Sequence, residues 1–169
     1  RGALVYAIDP FWRQSPGPLP IPDGAPDALN RMRELLHEDA LSDLVAVVSD
    51  GLRDDACSGP VILLGICFGG RVVVRASQQV KTSGLAVWHG ANIEPHIDTT
   101  ALAGTIISID YGGADAMIPM AQIDAVRSKL TGLDVSIRVH ARAGHGFTHR
   151  GTSKEVPAAA DASEEAVFT

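Results

Sequence analysis

Cys67 lies in the hexapeptide Gly65-Ile66-Cys67-Phe68-Gly69-Gly70, whose residue types suit a nucleophile held on a sharp turn. The apolar run Val61-Ile62-Leu63-Leu64 precedes it and Arg71-Val72-Val73-Val74-Arg75-Ala76 follows, so a buried strand is expected to turn there into a helix. G-x-C-x-G is the cysteine form of the nucleophile elbow. The central residue of such a turn is held in a strained backbone conformation, and Gly65 and Gly69 are expected to let strand and helix approach by lacking a Cβ. A sulfur placed there points outward at the positive end of a helix, which favours thiolate. The bland alternative is a glycine-rich turn around a buried structural cysteine.

A cysteine nucleophile needs a base and an acid to orient it, and in open α/β sheets chemistry gathers at the carboxyl ends of strands. Two later strand-like runs end in suitable loops. One leads into Tyr111-Gly112-Gly113-Ala114-Asp115-Ala116-Met117-Ile118-Pro119, the other into Ala141-Arg142-Ala143-Gly144-His145-Gly146-Phe147. Asp115 and His145 are therefore the expected acid and base. Alone, Asp115 reads equally as a cap for the helix starting near Pro119, and His145 as a turn residue between glycines. Three residues at the right strand ends in a workable order carry the triad reading. His89 ends another strand and is a candidate for the pocket lining. His149 and Arg150 either touch substrate or belong to a solvated loop. His140 is expected to face a neighbouring helix, and His37 and His96 to lie on the surface. No histidine–carboxylate pair has metal-ligand spacing, so no metal is expected. The glycines of the elbow form neither G-x-G-x-x-G nor a Walker loop, and no nucleotide cofactor is expected.

The elements that must position these groups alternate between strand and helix. Residues 3–8, 61–66, 85–89, 105–110 and 135–140 read as buried parallel strands, rich in Val, Ile and Leu without strict alternation. Residues 25–38, 40–52, 70–80 and 120–130 read as helices, the last closed by Thr131-Gly132. The fold class expected is α/β, a mostly parallel sheet flanked by helices. Residues 14–26 hold five prolines and two glycines and read as a surface loop. The 169 residues fit one domain, 1–169.

Composition bounds the rest. Apolar residues make up 46% and charged residues 20%, ordinary for a globular protein. A net charge of −6 without a clustered basic patch argues against nucleic acid. No apolar run reaches membrane-spanning length, so no membrane partner is expected. Cys57 and Cys67 are too few for a disulfide framework, and a cytoplasmic setting is expected, as a monomer or small homo-oligomer. The chain opens at Arg1 and closes at Glu164-Glu165-Ala166-Val167-Phe168-Thr169, which reads as a helix cut in mid-course, so both ends are expected to lack natural sequence.

With Cys67, Asp115 and His145 in that order, the chain resembles the dienelactone hydrolase family of α/β-hydrolases. The matching pieces are Ala7-Ile8-Asp9-Pro10-Phe11-Trp12-Arg13, the elbow, Gly112-Gly113-Ala114-Asp115-Ala116-Met117-Ile118-Pro119 and Ala143-Gly144-His145-Gly146-Phe147. The resemblance implies a Cys-His-Asp triad that cleaves a small ester or lactone through an acyl-thioester. The backbone N–H of Phe68 would stabilise the oxyanion, and Arg13 would bind a substrate carboxylate. Phe147, His89 and His149 complete the expected substrate-binding set. Family members place a second arginine four residues beyond the catalytic histidine, where this chain has His149, and that departure favours a related ester over dienelactone itself. The family also implies upstream residues that supply a further strand, a second oxyanion amide and a glutamate touching the cysteine. The alternatives are a broad-specificity carboxylesterase or thioesterase, and a non-catalytic α/β interaction module that retains the elbow as architecture.

Overall fold

Residues 3–14, 16–18 and 25–168 are described by the structure, a computed structural model. Most of the expected proline-rich loop, at residues 15 and 19–24, lies outside the described residues. By packing, the chain divides into two compact units, Arg1–Ser58 and Gly59–Thr169.

In the first unit, α1 (Ala25–Glu34) and α2 (His37–Gly51) follow the expected helical periodicity. The break falls earlier than expected, at Leu35-Leu36. Leu35 is buried, whereas Leu36 is exposed and extended, with φ −78° and ψ 103°. Glu38 and Asp39 then occupy the first turn of α2, where the helix dipole favours negative charge. Residues 3–8, expected as the first strand, have no regular structure, and residues 3–7 are exposed. Val, Ile and Leu content favours extended backbone, but a strand forms only where a neighbouring chain takes its backbone hydrogen bonds. Among the described residues none pairs with this segment. Asp9 instead organises a turn, accepting the N–H of Phe11 at 2.9 Å and of Gly17 at 2.8 Å.

The second unit carries the sheet. Four strands, β1 (Ile62–Ile66), β2 (Gly84–Trp88), β3 (Ile106–Gly112) and β4 (Val135–His140), pair in sequence order, every pair parallel. The helices α3 (Gly69–Ser77), α4 (Met120–Lys129) and α5 (Pro157–Phe168) join or follow them, and Glu94–His96 forms one 3₁₀ turn between β2 and β3. The four expected strands of this unit are thus present, each within a residue or two.

The core lies between α3 and the sheet. Val72, Val73 and Val74 are β-branched and poor helix formers in isolation, yet all three are buried in α3. Packing against β1 and β2 overrides propensity here. β2 is buried along its whole length, as expected of an interior parallel strand. β1 differs: Leu63 and Gly65 are buried, but Ile62, Leu64 and Ile66 are exposed on its other face. Its all-apolar sequence suggested burial on both faces, whereas α3 covers only one.

Candidate active site

The elbow forms as its glycines demand, with one change of residue. Cys67 has φ +54°, a left-handed conformation that a side chain occupies only when the surroundings enforce it. Its N–H is held by the carbonyl of Trp88 at 3.0 Å, and its own carbonyl accepts the N–H of Gly70 at 3.0 Å as α3 begins. A Cβ on Gly65 would lie 2.4 Å from Val73 Cγ2 and 2.5 Å from the Gly69 carbonyl oxygen. Gly69, expected to be the second obligatory glycine, has nothing within 4 Å of that position. The close approach falls on Gly70, whose Cβ would meet Val87 Cγ1 at 2.8 Å. The helix turns its next residue toward β2, so the steric demand moves one position along.

Two further loops converge above the elbow. After β3, Gly112 passes so close to the loop after β4 that a Cβ would stand 2.3 Å from the Ala143 carbonyl oxygen. The N–H of Ala114 bonds that same oxygen at 2.9 Å. This stitch fixes Asp115 beside His145. Asp115 Oδ2 accepts from His145 Nδ1 at 2.8 Å, and His145 Nε2 lies 3.1 Å from Cys67 Sγ. The second oxygen of Asp115 accepts the N–H of Met117 at 2.8 Å. Asp115 is therefore both turn former and partner of the imidazole, and it does not cap α4, whose N-cap is Pro119. The Asp115 side chain is fully buried and His145 is largely buried.

The electrostatics suit a thiolate–imidazolium pair. Burial pushes the Cys67 thiol up, but the hydrogen bond and charge of His145 and the N–H of Phe68 outweigh it and bring it below its ordinary value. The bond with Cys67 raises His145 above the usual imidazole range; burial opposes this, and Asp115 adds to the rise. Each group stabilises the charged form of the other.

The remaining candidates take different places. His89 is fully buried, with φ +40°, and its ring stands edge-on to His145 at 4.8 Å, Phe147 at 5.6 Å and His149 at 5.3 Å. Its Nε2 lies 3.0 Å from Thr148 Oγ1. Burial first, then the charges of His145 and His149, pull this imidazole down to about 3, so it is neutral at pH 7. Phe147 is also fully buried, packed with Ala143, Ala159 and Val156. Both were expected to line the substrate pocket; both are buried, and His89 stands edge-on behind the imidazole of His145. His149 is half-buried, and burial, Lys154 and His145 all hold it below the ordinary imidazole value. It does not replace the positive charge of an arginine. Arg150 is engaged by Glu164 at 3.0 Å, Glu155 at 3.1 Å and Asp161 at 2.6 Å. In the first unit, Arg13 is paired with Asp43, with one nitrogen 2.6 Å from Oδ1, and stacks over Trp12 at 4.4 Å.

Sequence spacing gave no metal site, but folding produces a cluster it could not show. One ligand atom each from Cys67, His89 and His145 lie within 4.8 Å of one another. Among the described residues no helix is long and apolar enough to cross a membrane.

A parallel sheet whose strand ends present a strained cysteine, a histidine and a buried aspartate is the architecture of an α/β-hydrolase. Solved structures agree on the fold. A Klebsiella pneumoniae protein described as a "Putative Dienelactone Hydrolase" superposes with a TM-score of 0.73 at 17% identity, covering 93% of this chain and 70% of that one. The carboxylesterase Cest-2923 from Lactobacillus plantarum superposes with a TM-score of 0.56 at 12% identity, covering 75% of this chain and 65% of that one. The family model of the dienelactone hydrolases matches residues 10–169, and the chain belongs to that family. A Synechocystis protein named "Putative carboxymethylenebutenolidase" is 29% identical over 180 residues, covering 96% of this chain and 72% of that protein. The protein is accordingly a hydrolase of ester or lactone bonds.

Proposed function

We propose that this hydrolase cleaves a small ester or lactone with Cys67 as nucleophile, His145 as base and Asp115 as the acid that orients it. The observation that carries the reading is the unbroken chain from Sγ to Nε2 at 3.1 Å and from Nδ1 to the carboxylate at 2.8 Å. The thiol proton resides on His145 Nε2 as the sulfur attacks the carbonyl carbon. The Phe68 N–H donates to the developing oxyanion, a contribution worth about a hundred- to a thousandfold in rate for one donor. Collapse breaks the ester C–O bond, and His145 passes the proton to the leaving oxygen. Water, deprotonated by His145, then attacks the thioester; the C–S bond breaks and the carboxylic acid departs. Esters, lactones and thioesters suit this chemistry better than amides, because a thiolate leaves the tetrahedral intermediate more readily than a poor amine leaving group does.

His149, held below the ordinary imidazole value, stands where dienelactone-cleaving relatives are expected to carry an arginine, which favours a related ester over dienelactone itself. The substrate reading is therefore a small ester or lactone other than dienelactone, and the second reading a carboxylesterase or thioesterase of broad range. A panel of lactones, aryl esters and acyl thioesters assayed with wild type and Cys67→Ala tests both. Turnover is expected to vanish in the variant for every accepted substrate. Retention of most activity removes the cysteine from the mechanism, and dienelactone as best substrate reverses the His149 argument. For Arg13→Ala the expected outcome is a selective loss on anionic esters, and equal loss on neutral esters discards its carboxylate role.

A further inference from the structure

We propose that Cys67, His89 and His145 form a binding site for a zinc-like divalent cation that silences the enzyme by capturing its nucleophile. Catalysis needs Cys67 and His145; it gives His89 no task. Yet His89 is fully buried in a strained backbone conformation at the carboxyl end of β2, beside the equally strained Cys67 at the end of β1. Its Nδ1 is buried without a hydrogen-bond partner among the described residues, a position that normally costs free energy. The sulfur and a ring nitrogen of each histidine already lie within 4.8 Å.

One thiolate and two imidazoles are the donor set borderline-soft cations prefer, with water completing the tetrahedron. Bonds of about 2.1–2.3 Å place tetrahedral ligand atoms roughly 3.4–3.8 Å apart. The Sγ–Nε2 separation of 3.1 Å needs only a slight opening, and the widest separation of 4.8 Å must close by about 1 Å, within reach of side-chain rotation. Both imidazoles also carry the outer partner that metal-bound histidines normally have. Asp115 holds Nδ1 of His145, and Thr148 holds Nε2 of His89. Binding displaces the single proton shared by Sγ and Nε2 of His145 to water, and dissociation restores it. While the metal is held, it draws electron density from the thiolate and occupies Nε2 of His145, so the sulfur is a weak nucleophile and the base is blocked.

The test is a Co²⁺ titration of the reduced, full chain followed by absorbance, with Zn²⁺ as competitor. One equivalent is expected to produce a thiolate-to-cobalt charge-transfer band in the near ultraviolet, which Zn²⁺ abolishes. Cys57→Ser should keep the band and Cys67→Ser should lose it. His89→Gln should weaken binding by about tenfold or more, since loss of even an outer partner costs that much. Absence of the band, its loss in Cys57→Ser, or unchanged affinity in His89→Gln overturns the site. Should His89→Gln fail to fold, imidazole ¹⁵N spectra of the wild type decide: Zn²⁺ must shift the His89 ring nitrogens, and unmoved signals overturn the proposal. The silencing rests on Cys67 being the nucleophile. It is read separately, as loss of esterase activity in step with metal occupancy and recovery with chelator. Full activity at full occupancy overturns the silencing, whereas a protein that hydrolyses no ester but shows the band overturns the proposed function and leaves the metal site standing.

Discussion

Asp110 and Asp115 are both carboxylates with fully buried side chains near the carboxyl end of β3. Each bonds a histidine 30 residues further along, His140 or His145, at 2.8 Å. They nevertheless do different things. Asp110 also receives the fork of Arg138, with Nε at 2.8 Å and a terminal nitrogen at 2.5 Å, so its charge is answered by a fixed cation. His140 turns Nε2 toward that carboxylate, and the same nitrogen lies 3.5 Å from Ser163 of α5. Asp115 takes Nδ1 of its histidine and, among the described residues, has no guanidinium bonded to it, which leaves Nε2 for the sulfur of Cys67. A carboxylate–imidazole pair becomes a catalytic device only when the far nitrogen meets a nucleophile. When it does not, the pair is an internal brace.

The largest expected separation between the two pairs is in turnover. Asp115→Asn should lower kcat by about ten-thousandfold, because the amide no longer holds the imidazole in the right tautomer. Asp110→Asn should leave kcat of the folded enzyme little changed, and comparable losses in assays matched for folded protein would erase the distinction. Stability should rank the other way. Removing one partner of a buried charge cluster costs about 3 kcal/mol, so Asp110→Asn is expected to shift the urea midpoint well below that of Asp115→Asn. The smallest expected effect is on the thiol itself. Cys67 lies below its ordinary value, so iodoacetamide should label it below the usual thiol range near about 8.5. His145→Ala removes the group that lowers the thiol and leaves burial, which raises it, so the inflection should move up in pH. His140→Ala should leave the inflection in place, and an equal shift would mean that both pairs govern the sulfur.

Much of this architecture is legible in the sequence because it is local. Apolar runs of strand length, helical spacing in 120–130 and the glycines around Cys67 act through neighbours a few residues away. Residues 3–8 show where that fails: the run has strand-like composition, but a strand is defined by backbone partners that composition does not record. The valines of α3 oppose a helix by propensity, yet the helix was expected from the sharp turn before it, and packing supports it. His89 was legible only as a strand end. Its burial and its contact with three aromatic rings come from two loops meeting, those after β2 and β4, which no spacing rule expresses.

The order of the chemical groups along the chain, and the turn that must bend the polypeptide at Cys67, were set by residue type and short-range sterics. Asp115 and His145 were the expected partners from their places after strand ends. That their side chains reach the cysteine, while the pair of Asp110 and His140 with the same separation of 30 does not, was decided by packing. The register of β3 against β4, together with the contact of Gly112 with the Ala143 carbonyl, made the choice. The physical reason is that side-chain direction and ring orientation depend on how distant strands align, and alignment belongs to the packed sheet rather than to any one segment.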